Sequence, residues 1–364
     1  MRIAILGTRG IPNNYGGFEQ TAEKLSVLFT EAGHAVSVYN PDDHPYPGPA
    51  WRGVAIHRVP CGERRLRLGI WGVLRYDYLS LRHALASPAD VVLELGYVPS
   101  GAFFGLRRSA RPRLVTNMDG LEWKRAKWNA VLKRFVRRCE RAAVQYSDAL
   151  IADNPGIQQY LRERFGRESA HIPYGAELSG TYPTAPLDRY GLEPRRFYLL
   201  VARLEPENNV AMVLDGYRAS RSSWPFVVVG GTAHRYARHL AERYRDPRIR
   251  FLGPLYQPAV LDALRHHAGL YFHGHSVGGT NPALLEAMAS GALIAAYDCV
   301  FNREVLGAEG FFFDSAAQVT ALLGTDLERR RTAWEAGNRD KIRKTYNWEA
   351  VAAQYLEVLA ATAG

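Results

Sequence analysis

Short apolar runs alternate with amphipathic stretches along the whole chain, and the alternation predicts two α/β halves. Arg2–Leu6, Val91–Leu95, Arg113–Thr116 and Ala149–Ala152 are continuous apolar runs of the kind found in buried parallel strands. Ala35–Tyr39 and Arg52–Pro60 read as two further strands, and Phe18–Ala32 reads as an amphipathic helix. Strand, glycine loop, helix, strand is the opening of a doubly wound domain, here residues 1–176. Residues 177–193 carry Pro183, Pro186, Gly180 and Gly191 and read as an inter-domain linker. The alternation resumes over 194–345, with strands at Phe197–Ala202, Phe226–Gly230, Ile249–Leu252, Leu270–His273, Leu293–Tyr297 and Phe311–Phe313. Leu327–Ala361 is helical in pattern apart from a break near Asn347, and residues 346–364 are expected to cross back to the first domain.

The stretch His273–Asp298 concentrates the chemistry of the second half. A strand gives way to a small-residue loop, Ser276–Asn281, and then to a helix, Pro282–Ala289. Pro282 suits a first helical turn, and Gly291 suits the turn after a helix end. Gly278, Gly279 and Thr280 let a phosphate approach bare N–H groups at a positive helix end, with Asn281 at the boundary. Glu286 lies about one turn into the helix, where it can accept from a ribose hydroxyl. Arg203 leaves the first strand of this half and is a bidentate match for phosphate oxygens; a surface ion pair with Glu205 or Glu207 is the structural alternative. The Gly230–Gly231 turn marks a close approach at a strand end.

In the first half, the loop from Gly7 to Gly17 does not read G-x-G-x-x-G, since Gly7 and Gly10 stand three apart with Arg9 between them. A nicotinamide dinucleotide site, and with it an oxidoreductase, is weakly supported. Arg9 with the Gly16–Gly17 pair at a helix start fits an anion or sugar better. Asp119, Asp153 and Tyr174 stand at element ends where ligands gather in open α/β sheets. Their structural alternatives are helix caps for the two acids and a core-edge position for the tyrosine.

A net charge of +10 points to an anionic partner. The basic residues interleave with apolar ones in two segments. Gly62–Leu85 holds Arg64, Arg65 and Arg67 beside Trp71, and Trp123–Tyr146 holds Lys133 and Arg137 beside Trp128 and Phe135. Such segments suit either an anionic bilayer surface or a core helix with a solvated face. A nucleic-acid-binding role would use the same residues but leaves the 276–286 cradle without a task. Cys61, Cys139 and Cys299 show neither metal spacing nor pairing, so a reducing compartment is expected. Met1–Gly7 runs straight into a strand without a signal peptide pattern, and no apolar run reaches the roughly 20 residues of a membrane span. These features predict a cytoplasmic protein lying against the membrane face.

Three blocks make the pattern recognisable: GTRGIP-x-x-YGGFE at Gly7–Glu19, HGHSVGGTNP-x-LLEAM at His273–Met288, and FNREVLG at Phe301–Gly307. The chain resembles the GT-B, retaining glycosyltransferases of family 4, and more narrowly the bacterial rhamnosyltransferases. That resemblance implies two Rossmann-like domains facing across a cleft, the first taking the acceptor and the second the nucleotide-sugar donor. It further implies transfer of a 6-deoxysugar, L-rhamnose from dTDP-β-L-rhamnose, onto a lipid-linked or growing surface glycan at the inner face of the cytoplasmic membrane. No metal or other cofactor and no nucleic acid are implied, and the chain has no D-x-D triplet. Arg203 would neutralise the diphosphate and Glu286 would accept from the ribose, with Asp119, Asp153 and Tyr174 as positions suspected of serving the reaction. UDP- or GDP-sugars are the alternative donors.

The chain departs from the family pattern at two positions. The family's usual pair of glutamates eight apart is represented here by Gly278 and Glu286, and the usual lysine after the arginine by Asn208, which with Gly230 is counted among the expected donor-binding positions. Backbone groups at Gly279–Asn281 are then expected to serve the donor sugar. Arg9 or Arg303 is expected to supply the missing charge.

Overall fold

The computed structural model describes residues 1–14, 16–62, 70–107, 111–118, 120–124, 129–178, 180–277 and 279–364. Of the residues singled out above, Arg64, Arg65, Arg67, Asp119, Trp128 and Gly278 lie outside the described residues. The chain divides into two units: Met1–Tyr174 with Trp348–Gly364, and Gly175–Asn347.

The first unit is built on β1 (Arg2–Leu6), β2 (Ala35–Pro41), β3 (Ala50–Trp51), β4 (Val54–Val59), β5 (Val91–Leu95), β6 (Arg113–Asn117), β7 (Ala149–Ala152) and β8 (Ala170–His171). The sheet order is β3-β4-β2-β1-β5-β6-β7-β8, parallel throughout except for the β3–β4 pair. The chain therefore winds outward from β1 in one direction and then in the other, and the reversal falls between β1 and β5. Ile3, Ile5, Leu93 and Leu95 pack against Leu25 and Phe29 of the helix Gly17–Glu31. Trp348, Val351, Tyr355 and Leu359 of the last helix, Trp348–Ala363, complete that core. Asn117 Nδ2 donates to the Tyr355 hydroxyl at 2.6 Å, tying the end of β6 to a helix more than two hundred residues away.

The basic segment at 123–146 is broken. Glu122–Lys124 forms a 3-10 turn, and the helix proper is Ala130–Tyr146. Its cap is Asn129, whose side chain accepts from the Leu132 N–H at 2.9 Å, so no acidic residue near 119 is needed for that task.

In the second unit, β9 (Tyr198–Val201), β10 (Phe226–Val229), β11 (Ile249–Gly253), β12 (Leu270–His273), β13 (Ile294–Tyr297) and β14 (Phe311–Phe313) form a parallel sheet of order β11-β10-β9-β12-β13-β14. Its reversal lies between β9 and β12. Leu200, Phe226, Val228, Leu270 and Phe272 meet Val210, Val213, Leu214 and Tyr217 in the core. The stretch 177–193, expected to be a linker, belongs to this unit. It contains the short helix Ala185–Asp188, and Leu187 and Leu192 are buried. Apolar side chains after the prolines, Leu187 and Leu192, give it a surface to bury, which a free linker lacks. Among the described residues no helix is long and apolar enough to cross a membrane.

Candidate functional site

In an open parallel sheet the loops leaving the two strands at the winding reversal diverge to opposite faces, and ligands bind in the crevice they leave. In the second unit those loops are Ala202–Asn209 after β9 and Gly274–Asn281 after β12. They are laced together. Asn209 Nδ2 donates to the Gly274 carbonyl at 2.8 Å, and the Ser276 N–H and hydroxyl both donate to the Glu207 carbonyl, at 3.1 and 2.8 Å. His275 Nδ1 meets Asn208 Oδ1 at 2.9 Å, while Asn208 Nδ2 donates to the Arg203 carbonyl at 2.6 Å. Gly274 is required here, because a Cβ would stand 2.0 Å from the Asn208 carbonyl oxygen.

Asn208, expected to contact the donor, is buried and has both ends of its amide engaged in this lacing. A lysine at the same position could not accept from His275 and would have to direct its ammonium elsewhere. Gly230 likewise serves packing, since an added Cβ would lie 2.2 Å from the Ala202 carbonyl oxygen, whereas Gly231 beside it has nothing within 4 Å.

The helix Pro282–Ala289 begins as its sequence predicts. Pro282 takes the first turn, and the Asn281 side chain accepts from the Ala283 N–H at 2.9 Å. Thr280 and Gly279 are buried just ahead of it. Arg203 is exposed and makes no ion pair among the described residues, so the surface pairing with Glu205 or Glu207 is not found. Arg303 is bound to Asp298 through Nε and Nη2 at 2.5 and 2.6 Å, and its guanidinium lies 4.4 Å from the Phe312 ring centroid. It is therefore the more committed of these two cations. Asn302, buried at 2% exposure, donates to the carbonyls of His275 and Tyr297 and fixes the loop from behind.

Glu286 is not a solitary acceptor. Its Oε2 receives Arg265 Nη2 at 2.5 Å, and Arg265 Nη1 also reaches Asp262 Oδ1 at 3.1 Å. Arg265 sits on the helix Pro258–His267 and is 3% exposed. Beside it, burial and then the charge of Arg265 lower the His273 pKa to about 3, so that ring is neutral. Sequence reading missed Arg265 because its only visible signal was a basic residue near a helix end, where such residues are commonplace.

In the first unit, the corresponding loop leaves β1. Gly7 and Gly10 both have positive φ, and a Cβ on either would strike Leu95 O at 2.2 Å or Asn40 Oδ1 at 2.3 Å. The N–H groups of Arg9, Ile11 and Asn13 are occupied by Glu19, Asn40 and Glu23 side chains at 2.8, 3.0 and 2.5 Å. This part of the loop is thus braced by the protein's own acceptors, in bonds that do not involve the Gly16–Gly17 pair, and the Arg9 guanidinium lies 5.7 Å from the Tyr76 ring centroid. Gly16 precedes the helix in an extended conformation and Gly17 is its first residue.

Asp153 is 1% exposed at the end of β7, and the cap role falls instead to Asn154, which accepts from the Gly156 N–H at 2.9 Å. Tyr174 is buried with its ring centroid 6.2 Å from that of Phe18. In the basic region Trp71 is 71% exposed, Arg137 is exposed with its guanidinium 4.3 Å from the Trp123 ring centroid, and Lys133 is half-buried.

Comparison with known proteins matches both units to glycosyltransferase domains. Residues 16–175 match the glycosyl transferase 4-like domain, and residues 189–324 match the glycosyl transferases group 1 domain. These two matches, with the paired parallel sheets, define the class: the chain is a glycosyltransferase of the GT-B type.

Among solved structures, sucrose-phosphate synthase from Thermosynechococcus elongatus is similar with a TM-score of 0.81 at 18% identity, covering 99% of both chains. HepE from Anabaena, solved with UDP-glucose, gives a TM-score of 0.74 at 14% identity over 99% of this chain and 100% of that one. The α,α-trehalose 6-phosphate synthase of Burkholderia multivorans gives 0.72 at 14% identity over 100% and 96%. At these identities the likeness is one of fold. No curated protein matches the chain in sequence.

Proposed function

We propose that the chain is a retaining glycosyltransferase moving a 6-deoxyhexose, L-rhamnose from dTDP-β-L-rhamnose, onto a lipid-linked or growing surface glycan. The observation that carries the donor half of this reading is the crevice at the β9–β12 reversal. There an exposed Arg203 without an ion pair among the described residues, a capped helix N-terminus and Glu286 lie on adjoining loops and the helix they lead into. A diphosphate fits the cationic and N–H side of that crevice, and a ribose fits the carboxylate. The departing diphosphate gains negative charge, and Arg203 with the helix N-terminus stabilises it electrostatically. A same-face substitution lets the leaving phosphate take the acceptor's proton, so no protein nucleophile is demanded. The rhamnosyl part of the reading rests on the three sequence blocks.

The exposed basic and aromatic groups of the first unit suit a headgroup surface, which supports the reading of an acceptor at the inner face of the membrane. Asp153 and Tyr174, both near strand ends of that unit, are the residues offered to the acceptor.

A second reading keeps the fold and reaction with a UDP-sugar donor, favoured by the HepE structure containing UDP-glucose. Calorimetric titration of dTDP, UDP and GDP into wild type and Glu286→Ala separates them. dTDP binding tightest and weakened about tenfold in the variant is the expected result, the worth of one hydrogen bond to a charged group. Preference for UDP overturns the donor, and absence of binding to all three overturns the site.

A further inference from the structure

Arg265 is buried where a surface cation would ordinarily stay in water, and burying it unpaired would be costly. It is held between Asp262, three residues earlier on its own helix, and Glu286 on the next helix. The wall behind it is β12, where His273 Nε2 is buried without a hydrogen-bond partner among the described residues and the buried Tyr271 hydroxyl faces Arg265. Both side chains are uncharged, since burial raises the Tyr271 pKa to about 12 and lowers that of His273 to about 3. The cation's formal charge is therefore answered by the two carboxylates, and the guanidinium sets the direction in which Glu286 points.

That attachment is made through one oxygen. Glu286 Oε2 carries the 2.5 Å bond to Arg265, while Oε1 takes no hydrogen bond among the described residues and the side chain is 33% exposed. A carboxylate grips a vicinal diol by giving one oxygen to each hydroxyl. With Oε2 engaged by Arg265, Oε1 is the carboxylate oxygen left for a ligand among the described residues. Taking Glu286 as the ribose acceptor, as proposed above, we infer that Arg265 is a positioning residue that makes Glu286 a reader of a single ribose hydroxyl. The hydroxyl read is the 3′ group, the one that ribo- and 2′-deoxyribonucleotides share. A deoxyribose donor then loses nothing at this contact, which would let the enzyme accept a thymidine nucleotide without a specific 2′ pocket.

The test is titration of UDP, 2′-deoxy-UDP and 3′-deoxy-UDP into the full chain. UDP and its 2′-deoxy analogue are expected to bind within about threefold of each other, and the 3′-deoxy analogue about tenfold more weakly. Arg265→Lys, which keeps a donor to Oε2, should retain that 3′ discrimination, whereas Arg265→Met, which has none, should reduce it to less than about threefold. The wild-type comparison needs no variant, so a poorly folding Arg265→Met leaves the test intact. Glu286→Ala separates the two levels of argument. If it leaves UDP binding unchanged, the ribose role of Glu286 is wrong. If it weakens binding but loss of the 2′ hydroxyl costs wild type as much as loss of the 3′, the ribose role stands and single-hydroxyl reading is overturned.

Discussion

Gly274→Ala probes whether the two loops at the β9–β12 reversal act as one piece. The added methyl would stand 2.0 Å from the Asn208 carbonyl oxygen and 3.0 Å from its carbon. Ordinary carbon–oxygen contacts begin near about 3.3 Å, so the loops must part by roughly 1.3 Å. Neither side can yield by rotating a side chain, because the obstacle is backbone. Parting also strains the Asn209–Gly274 and Ser276–Glu207 hydrogen bonds, which cross the same seam. Overpacking of this kind costs about 1–3 kcal/mol. For a unit of this size each kcal/mol lowers Tm by about 2–4 °C, so a fall of roughly 2–12 °C is expected. Thermal unfolding followed by circular dichroism measures it, and titration with a nucleoside diphosphate should show weakened binding. Gly231→Ala is the matched control, since a Cβ there meets nothing within 4 Å. Equal Tm and equal affinity for the two variants would show that the loops are not rigidly joined, and the account of Gly274 would fail.

Arg203→Ala is expected to weaken diphosphate binding about tenfold while leaving Tm within about 1 °C, because the side chain is exposed and makes no ion pair among the described residues. A fall in Tm without a change in affinity would make it a structural residue. Glu94 is 1% exposed, and burial raises its pKa from 4.5 to about 8. The folded state therefore keeps a proton that the unfolded state releases between these values, and stability falls as pH rises through that window. Glu94→Gln should accordingly raise Tm relative to wild type by more at pH 8.5 than at pH 5; parallel Tm–pH curves would contradict it. The full chain should co-sediment with vesicles containing anionic lipid at low salt, less so when Lys133 and Arg137 are both changed to Glu, and equal sedimentation of both proteins would remove the basic helix from membrane binding.

Much of the architecture is written locally. Val91–Leu95 and Leu270–His273 form strands because continuous apolar residues must be covered on both faces, and the strands match the residues expected. Pro282 and Gly291 bound the helix Pro282–Ala289 for reasons of backbone geometry that need no tertiary partner. The three blocks likewise identify the class before any contact is known. What the tertiary structure alone decided is how the marked residues are spent. Asn208 was readable as a donor ligand until His275 and the Arg203 carbonyl took its amide. The stretch between Gly7 and Gly16 had no visible purpose until Glu19, Asn40 and Glu23 were seen to occupy the N–H groups of Arg9, Ile11 and Asn13. Arg265 and Glu286 stand 21 residues apart on different helices, and neither periodicity nor spacing could have joined them. Local pattern fixes where the backbone turns, because turning depends on residues in sequence contact. The pairing of a buried charge depends on which helix the winding order sets beside which, and that order is a property of the whole sheet.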